Sequence, residues 1–107
     1  MSHPLPAASF AVRPDEVDAL AAELGTLAAE LADDAGRVRS AAASFPVALD
    51  GHEGWAAGAT ATAWARLQEI LAAEAGALGD TLAAAAAAYR AEDAALAGRL
   101  HLDPAPR

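Results

Sequence analysis

Six consecutive alanines, Ala83 to Ala88, leave one local conformation open to the middle of this 107-residue chain. Alanine loses no side-chain entropy in a helix and has the highest intrinsic helix propensity, so the tract predicts a helix that carries on through Tyr89-Arg90-Ala91-Glu92-Asp93. Upstream and downstream of the tract, Trp64, Leu67, Leu71, Ala75, Leu78, Leu82, Ala85, Tyr89, Asp93, Leu96 and Leu100 follow one another in steps of three and four. That stripe predicts one long helix over about residues 56–100. Within it Leu67, Leu78, Tyr89 and Leu100 recur every eleven residues, the repeat of a nearly straight helix. Gly76, Gly79, Asp80 and Thr81 permit a rival reading, a break with a restart capped by Asp80. The unbroken phase from Leu78 to Leu82 to Ala85 favours a single helix.

A second stripe precedes it. Pro14 suits a first helical turn, and Asp15, Glu16 and Asp18 complement the positive end of the helix dipole. Val17, Leu20, Leu24, Leu27, Leu31, Val38, Ala41 and Phe45 then keep helical spacing, with Asp34 as the one seam position that is not apolar. Proline lacks the N–H and restricts the residue before it, so Pro46 is expected to end this helix, giving helix 1 over about 14–45. Residues 46–55, with Gly51 and Gly54, read as the connecting loop. The expected fold is all-α: an antiparallel two-helix hairpin over 14–100, preceded by a disordered leader (1–13) and followed by a flexible tail (101–107).

Composition decides how such a hairpin is stabilised. Hydrophobic residues make up 55% of the chain and aromatics only 5%, so the core must be alanine and leucine, with little area per contact. An elongated pair of helices of this size leaves apolar surface in water, which predicts pairing with a second hairpin into a four-helix bundle. The candidate stripe residues are Leu20, Leu24, Leu27 and Leu31 on helix 1 and Leu67, Leu71, Leu78 and Leu82 on helix 2. Trp55 and Trp64, the only tryptophans, are expected to pack the loop end, where one large ring buries area that alanines cannot.

The formal charge of −8, with no lysine, argues against binding nucleic acid or anionic lipid. There is no cysteine, which removes thiolate chemistry and cysteine-bound zinc. His3, His52 and His101 are scattered, without the i,i+4 or Glu-x-x-His spacing of a metal site. Carboxylate pairs such as Asp33-Asp34 and Glu92-Asp93 have no accompanying nucleophile or glycine-rich phosphate loop. The sequence therefore predicts no enzyme activity, cofactor or metal. The opening residues lack a basic n-region and an apolar run, so no secretory signal peptide is expected, and no window is expected to insert stably in a membrane.

One pair of residues resists this bland picture. Tyr89 and Asp93 lie four apart on the second helix, so a phenol and a carboxylate share one face about one turn from each other. They fit either a core tyrosine beside a solvated acid or a recognition signal.

The opening Phe10-Ala11-Val12-Arg13-Pro14-Asp15, a long Ala/Leu helix, a Gly/Trp turn, a second Ala-rich helix and Tyr89-Arg90-Ala91-Glu92-Asp93 together cover Phe10 to Leu100. In these features the chain resembles the helical-hairpin substrates of type VII (ESX) secretion, in particular their EspC-like branch. The related Trp-x-Gly proteins have one residue between tryptophan and glycine, whereas Trp55-Ala56-Ala57-Gly58 has two, which fits the EspC-like branch better. The resemblance implies a hairpin that dimerises, with itself, a related hairpin or the N-terminal region of an effector. It also implies export in the folded state without a cleaved leader, from a cytoplasmic pool, with Tyr89 and Asp93 as a Tyr-x-x-x-Asp signal read by the ESX ATPase machinery. An intracellular bundle-forming adaptor, or a chaperone of a larger effector, is the alternative.

Overall fold

The computed structural model describes residues 13–102, with side chains to 100. The expected leader, with His3, and the tail beyond Leu102 fall outside that range, save Arg13, while His101 lies in the last turn of α2. Two helices, α1 (Pro14–Ala48) and α2 (Gly51–Leu102), pack along each other as an antiparallel hairpin. The radius of gyration is 24.1 Å, well above the roughly 13 Å of a compact chain of about 100 residues, and the shortest extent is 13 Å, one helix thick.

α1 begins as its sequence predicts: Pro14 occupies the first turn, and the Arg13 carbonyl accepts from the Glu16 and Val17 amides at 3.0 Å. Its end differs from expectation. The helix runs through Pro46 to Ala48, and the Leu49 amide still donates to the Phe45 carbonyl at 2.8 Å. Pro46 deprives only the Ala42 carbonyl of its usual donor. Ala42 is buried there, and its carbonyl lies against Gly58, where a Cβ would come within 3.2 Å of the oxygen. Tertiary packing thus holds the last turn together. The connection shrinks from the expected ten residues to Leu49 and Asp50, and α2 starts at Gly51, whose φ of +69° is left-handed and suits glycine. Gly54 completes the reversal, since a Cβ on it would sit 2.0 Å from the Leu49 carbonyl oxygen.

α2 is continuous, with no break at Gly76–Asp80. Gly79 is instead a point of close approach: a Cβ there would meet the Ala21 carbonyl at 3.1 Å and the Leu24 side chain at 3.4 Å.

The seam between the helices is a heptad of small residues rather than the leucine stripes. On α1 the buried or half-buried positions include Val17, Ala21, Leu24, Ala28, Leu31, Ala35, Val38, Ala42 and Phe45; on α2 they include Gly54, Gly58, Ala61, Ala65, Gln68, Ala72, Ala75, Gly79, Leu82 and Ala86. Alanine thus recurs every seventh residue at 21, 28, 35 and 42, facing glycine and alanine on α2. Leu20 and Leu27 on α1 and Trp64, Leu67, Leu71 and Leu78 on α2 lie beside this seam and are exposed, outside the contact between the two helices. Of the expected stripe only Leu24, Leu31 and Leu82 face the other helix. Ala35, Ala65 and Ala86 are fully buried, and no large side chain is.

Glycine substitutions should separate turn geometry from helix propensity. Gly54→Ala must displace the turn backbone and should lower stability by about 1–3 kcal/mol. Gly25→Ala meets nothing within 4 Å and should raise it by roughly 0.5–1 kcal/mol. Thermal melts followed by circular dichroism check both.

Candidate functional site

Because the seam follows strict heptads, each side of the flat hairpin has its own character. On one side the second partners of the heptad carry charge. Arg39 donates to both carboxylate oxygens of Glu69, at 2.8 and 2.5 Å, and Arg90 reaches Asp15 at 2.6 Å and Asp18 at 2.5 Å. Small residues fill the rest: Ala21, Ala22, Gly25, Gly76, Gly79 and Ala83 line one shallow cleft there. Trp55 lies on this side too, bordering a cleft with Arg39, Pro46 and Thr62 and stacked on His52 with ring centroids 5.9 Å apart.

The opposite side is apolar. Val38, Phe45, Ala57 and Trp64 border an open cleft of about 560 Å³ near the turn, large enough for a bulky side chain from another protein. Stepping from these residues by seven brings Leu31, Leu24 and Val17 along α1 and Leu71 and Leu78 along α2 onto the same face, with Leu20 and Leu27 at its edge. One polar break interrupts it. Asp34 accepts a short hydrogen bond from the Gln68 amide nitrogen and lies 3.7 Å from Arg37. Gln68 is only 6% exposed, and its Oε1 has no partner among the described residues. The sequence singled out Asp34 but not Gln68. The signal for Gln68 was its heptad position, seven residues from Ala61 and Ala75.

The expected plug at the turn is not formed within the hairpin: Trp55 is 66% and Trp64 56% exposed. Glycine does that packing, through Gly54 and Gly58, because the helices approach too closely there for an indole to enter. Gly58 therefore keeps a packing role, while the two indoles face outward.

Tyr89 and Asp93 continue the α2 seam positions after Leu82 and Ala86. α1 begins at Pro14, and the Arg90 pairs with Asp15 and Asp18 mark the last cross-helix tie, so the twelve residues from Ala91 to Leu102 run on beyond it. At 1.5 Å per residue that extension is about 18 Å long. Tyr89, at the lip of the hairpin, is 43% exposed, and Asp93, one turn further, is exposed. A phenol and a carboxylate are thus displayed together on one helical face, exposed among the described residues.

Among the described residues no group of three or more His, Cys, Asp or Glu side chains could hold a metal ion. The resolved shifts in acidity belong to the cross-helix pairs. Hydrogen bonding to Glu69, and then its charge, raises the Arg39 guanidinium above its ordinary value; hydrogen bonds to Asp15 and Asp18 do the same for Arg90. Glu69 is held below the usual carboxylate range, chiefly by the hydrogen bond from Arg39.

By length and composition alone, α2 is long and apolar enough to cross a membrane. The apolarity comes from alanine, and the stretch from Ile70 to Ala87 contains Glu74 and Asp80, each costly in hydrocarbon. No family model, curated protein or solved structure matches the chain.

Two measurements test this geometry. Trp64→Ala should lower the stability of the isolated hairpin by less than about 1 kcal/mol, far below the loss at a buried ring, and should weaken any association that covers the apolar face. Because the Glu69 pKa is depressed in the folded state, its stabilising pair is in place above the ordinary carboxylate pKa and is lost as pH falls through the lowered value. Arg39→Ala should flatten the acid limb of Tm against pH.

Proposed function

We propose that this protein is a non-enzymatic substrate or carrier of a type VII (ESX) secretion system, exported as a folded helical assembly and read through Tyr89 and Asp93. The observation that carries the reading is the position of these two residues: on either side of Arg90, the last tie to α1 among the described residues, on a helix that holds them one turn apart. A receptor that binds a preformed helical epitope loses less entropy than one that must order a flexible peptide. The residue between them supports the same reading. Arg90 is drawn back to Asp15 and Asp18, which leaves Tyr89 and Asp93 clear of ion pairing among the described residues.

The exposed apolar face supports an oligomeric partner, since an uncovered surface of this kind marks a site of association. A four-helix bundle, formed with a second copy, a related hairpin or the N-terminal region of an effector, covers it. In this reading the ESX ATPase machinery engages the Tyr89/Asp93 end while the bundle face is occupied. The protein is then cytoplasmic before export and secreted afterwards, with no nucleic-acid partner and no stable insertion in a membrane. The same face also suits an intracellular adaptor or effector chaperone, for which Tyr89 is only a packing residue.

Single substitutions separate the two. If the pair is an export signal, Asp93→Ala should remove the protein from the culture medium while leaving Tm unchanged or slightly higher, because alanine is the better helix former. Tyr89→Ala should block export with a modest loss of stability. An adaptor predicts the reverse order. Normal export of a folded Asp93→Ala protein, measured alongside a strain without a working ESX ATPase, would sink the secretion reading.

A further inference from the structure

The apolar face selects the charge of whatever covers it. Glu23 and Glu30 flank Leu27 along the outer edge of α1, together lining one shallow groove, and Glu74 follows Leu67 by seven residues along the outer edge of α2. None of these three carboxylates is ion-paired among the described residues. Asp34 adds a half-exposed carboxylate within the face. Against these stand Arg37, which is turned to Asp34, and Arg99, on the Trp64, Leu71 and Leu78 register but beyond the start of α1. Arg39 and Arg90 are committed to the opposite side, and Arg13 to Glu16 at the start of α1. The face is therefore an apolar strip bordered by acid on both edges.

A second copy of the chain is a poor cover for such a strip. In a two-fold face-to-face dimer each edge of one hairpin lies on an edge of the other, α1 on α1 or α1 on α2. Both edges are net acidic, so either arrangement sets carboxylate against carboxylate, with Arg37, already held by Asp34, as the one cation along the paired length. Like charges brought together across an interface suppress that pairing, whereas opposite charges steer and hold it. We propose that the apolar face is covered by a different helical chain whose flanks are basic, rather than by a second copy. This rests on the reading above that a helical partner occupies the face, and it names that partner's chemistry.

The full chain supplies its own probe. A triple variant, Glu23→Lys, Glu30→Lys and Glu74→Lys, keeps the apolar strip and gives it basic edges; all three sites are exposed and lysine is nearly as good a helix former as glutamate. Sedimentation equilibrium of wild type, of the variant and of their equimolar mixture should show the mixed pair about tenfold or more tighter than either self-pair. Raising salt from about 0.05 to about 0.5 M should tighten the wild-type self-pair by screening repulsion, and loosen the mixed pair. The salt series on wild type alone decides the matter if the variant does not fold. A wild-type self-pair as tight as the mixed one, or one that weakens in salt, overturns the basic-partner inference and leaves the covered-face reading standing. No association in any sample overturns both, and neither result bears on whether Asp93 directs export.

Discussion

The close approach of α1 and α2 is the constraint on which everything else depends. Gly58 and Gly79 bring α2 against the backbone carbonyls of Ala42 and Ala21, and fully buried Ala35, Ala65 and Ala86 fill the space between. A seam so thin has no room for leucine on both helices at one level. Each buried methyl contributes only about 0.8 kcal/mol, whereas a fully buried leucine contributes about 1.5–3 kcal/mol. Leu20, Leu27, Leu67, Leu71, Leu78 and Trp64 lie one position round the helix and face water. The hairpin holds together by many small contacts, and most of its large apolar side chains stay exposed.

Polar residues settle what the seam leaves undecided. A heptad of alanines looks nearly the same after a slip of seven residues, so close packing alone does not specify which turn of α1 meets which turn of α2. Arg39 to Glu69 near one end and Arg90 to Asp15 and Asp18 near the other tie two distant levels at once, and the hydrogen bond from Gln68 to Asp34 adds a third. These exposed pairs contribute little to stability individually, but any slip breaks all of them together. The same arrangement gathers Arg39 and Arg90 on one side and leaves Glu23, Glu30 and Glu74 along the edges of the other.

The functional reading follows from where this register ends. Arg90 closes the hairpin, and α2 continues past it with Tyr89 at the lip and Asp93 beyond. In the proposed export reading, a signal there stays exposed while a partner covers the apolar face, because Tyr89 and Asp93 continue the seam positions and not the stripe of Trp64, Leu71 and Leu78.

From sequence alone, propensity and spacing determined the all-α hairpin, the start of α1 at Pro14, the continuity of α2 through Gly76 and Gly79, and the one-turn separation of Tyr89 and Asp93. These are properties of a single helix and need no neighbour. Pro46 and the two tryptophans misled for the same physical reason: their behaviour depends on what lies across the seam. A buried Ala42 facing Gly58 carries the helix past Pro46, and the glycine approach at the turn shuts out Trp55 and Trp64. The seam itself was written in the alanines at 21, 28, 35 and 42, but size ranks leucine above alanine in any hydrophobic reading, so the leucine stripe one residue away looked like the core. Only the tertiary structure decided which stripe faces inward, because that choice rests on how closely two backbones approach, and closeness is a property of the pair.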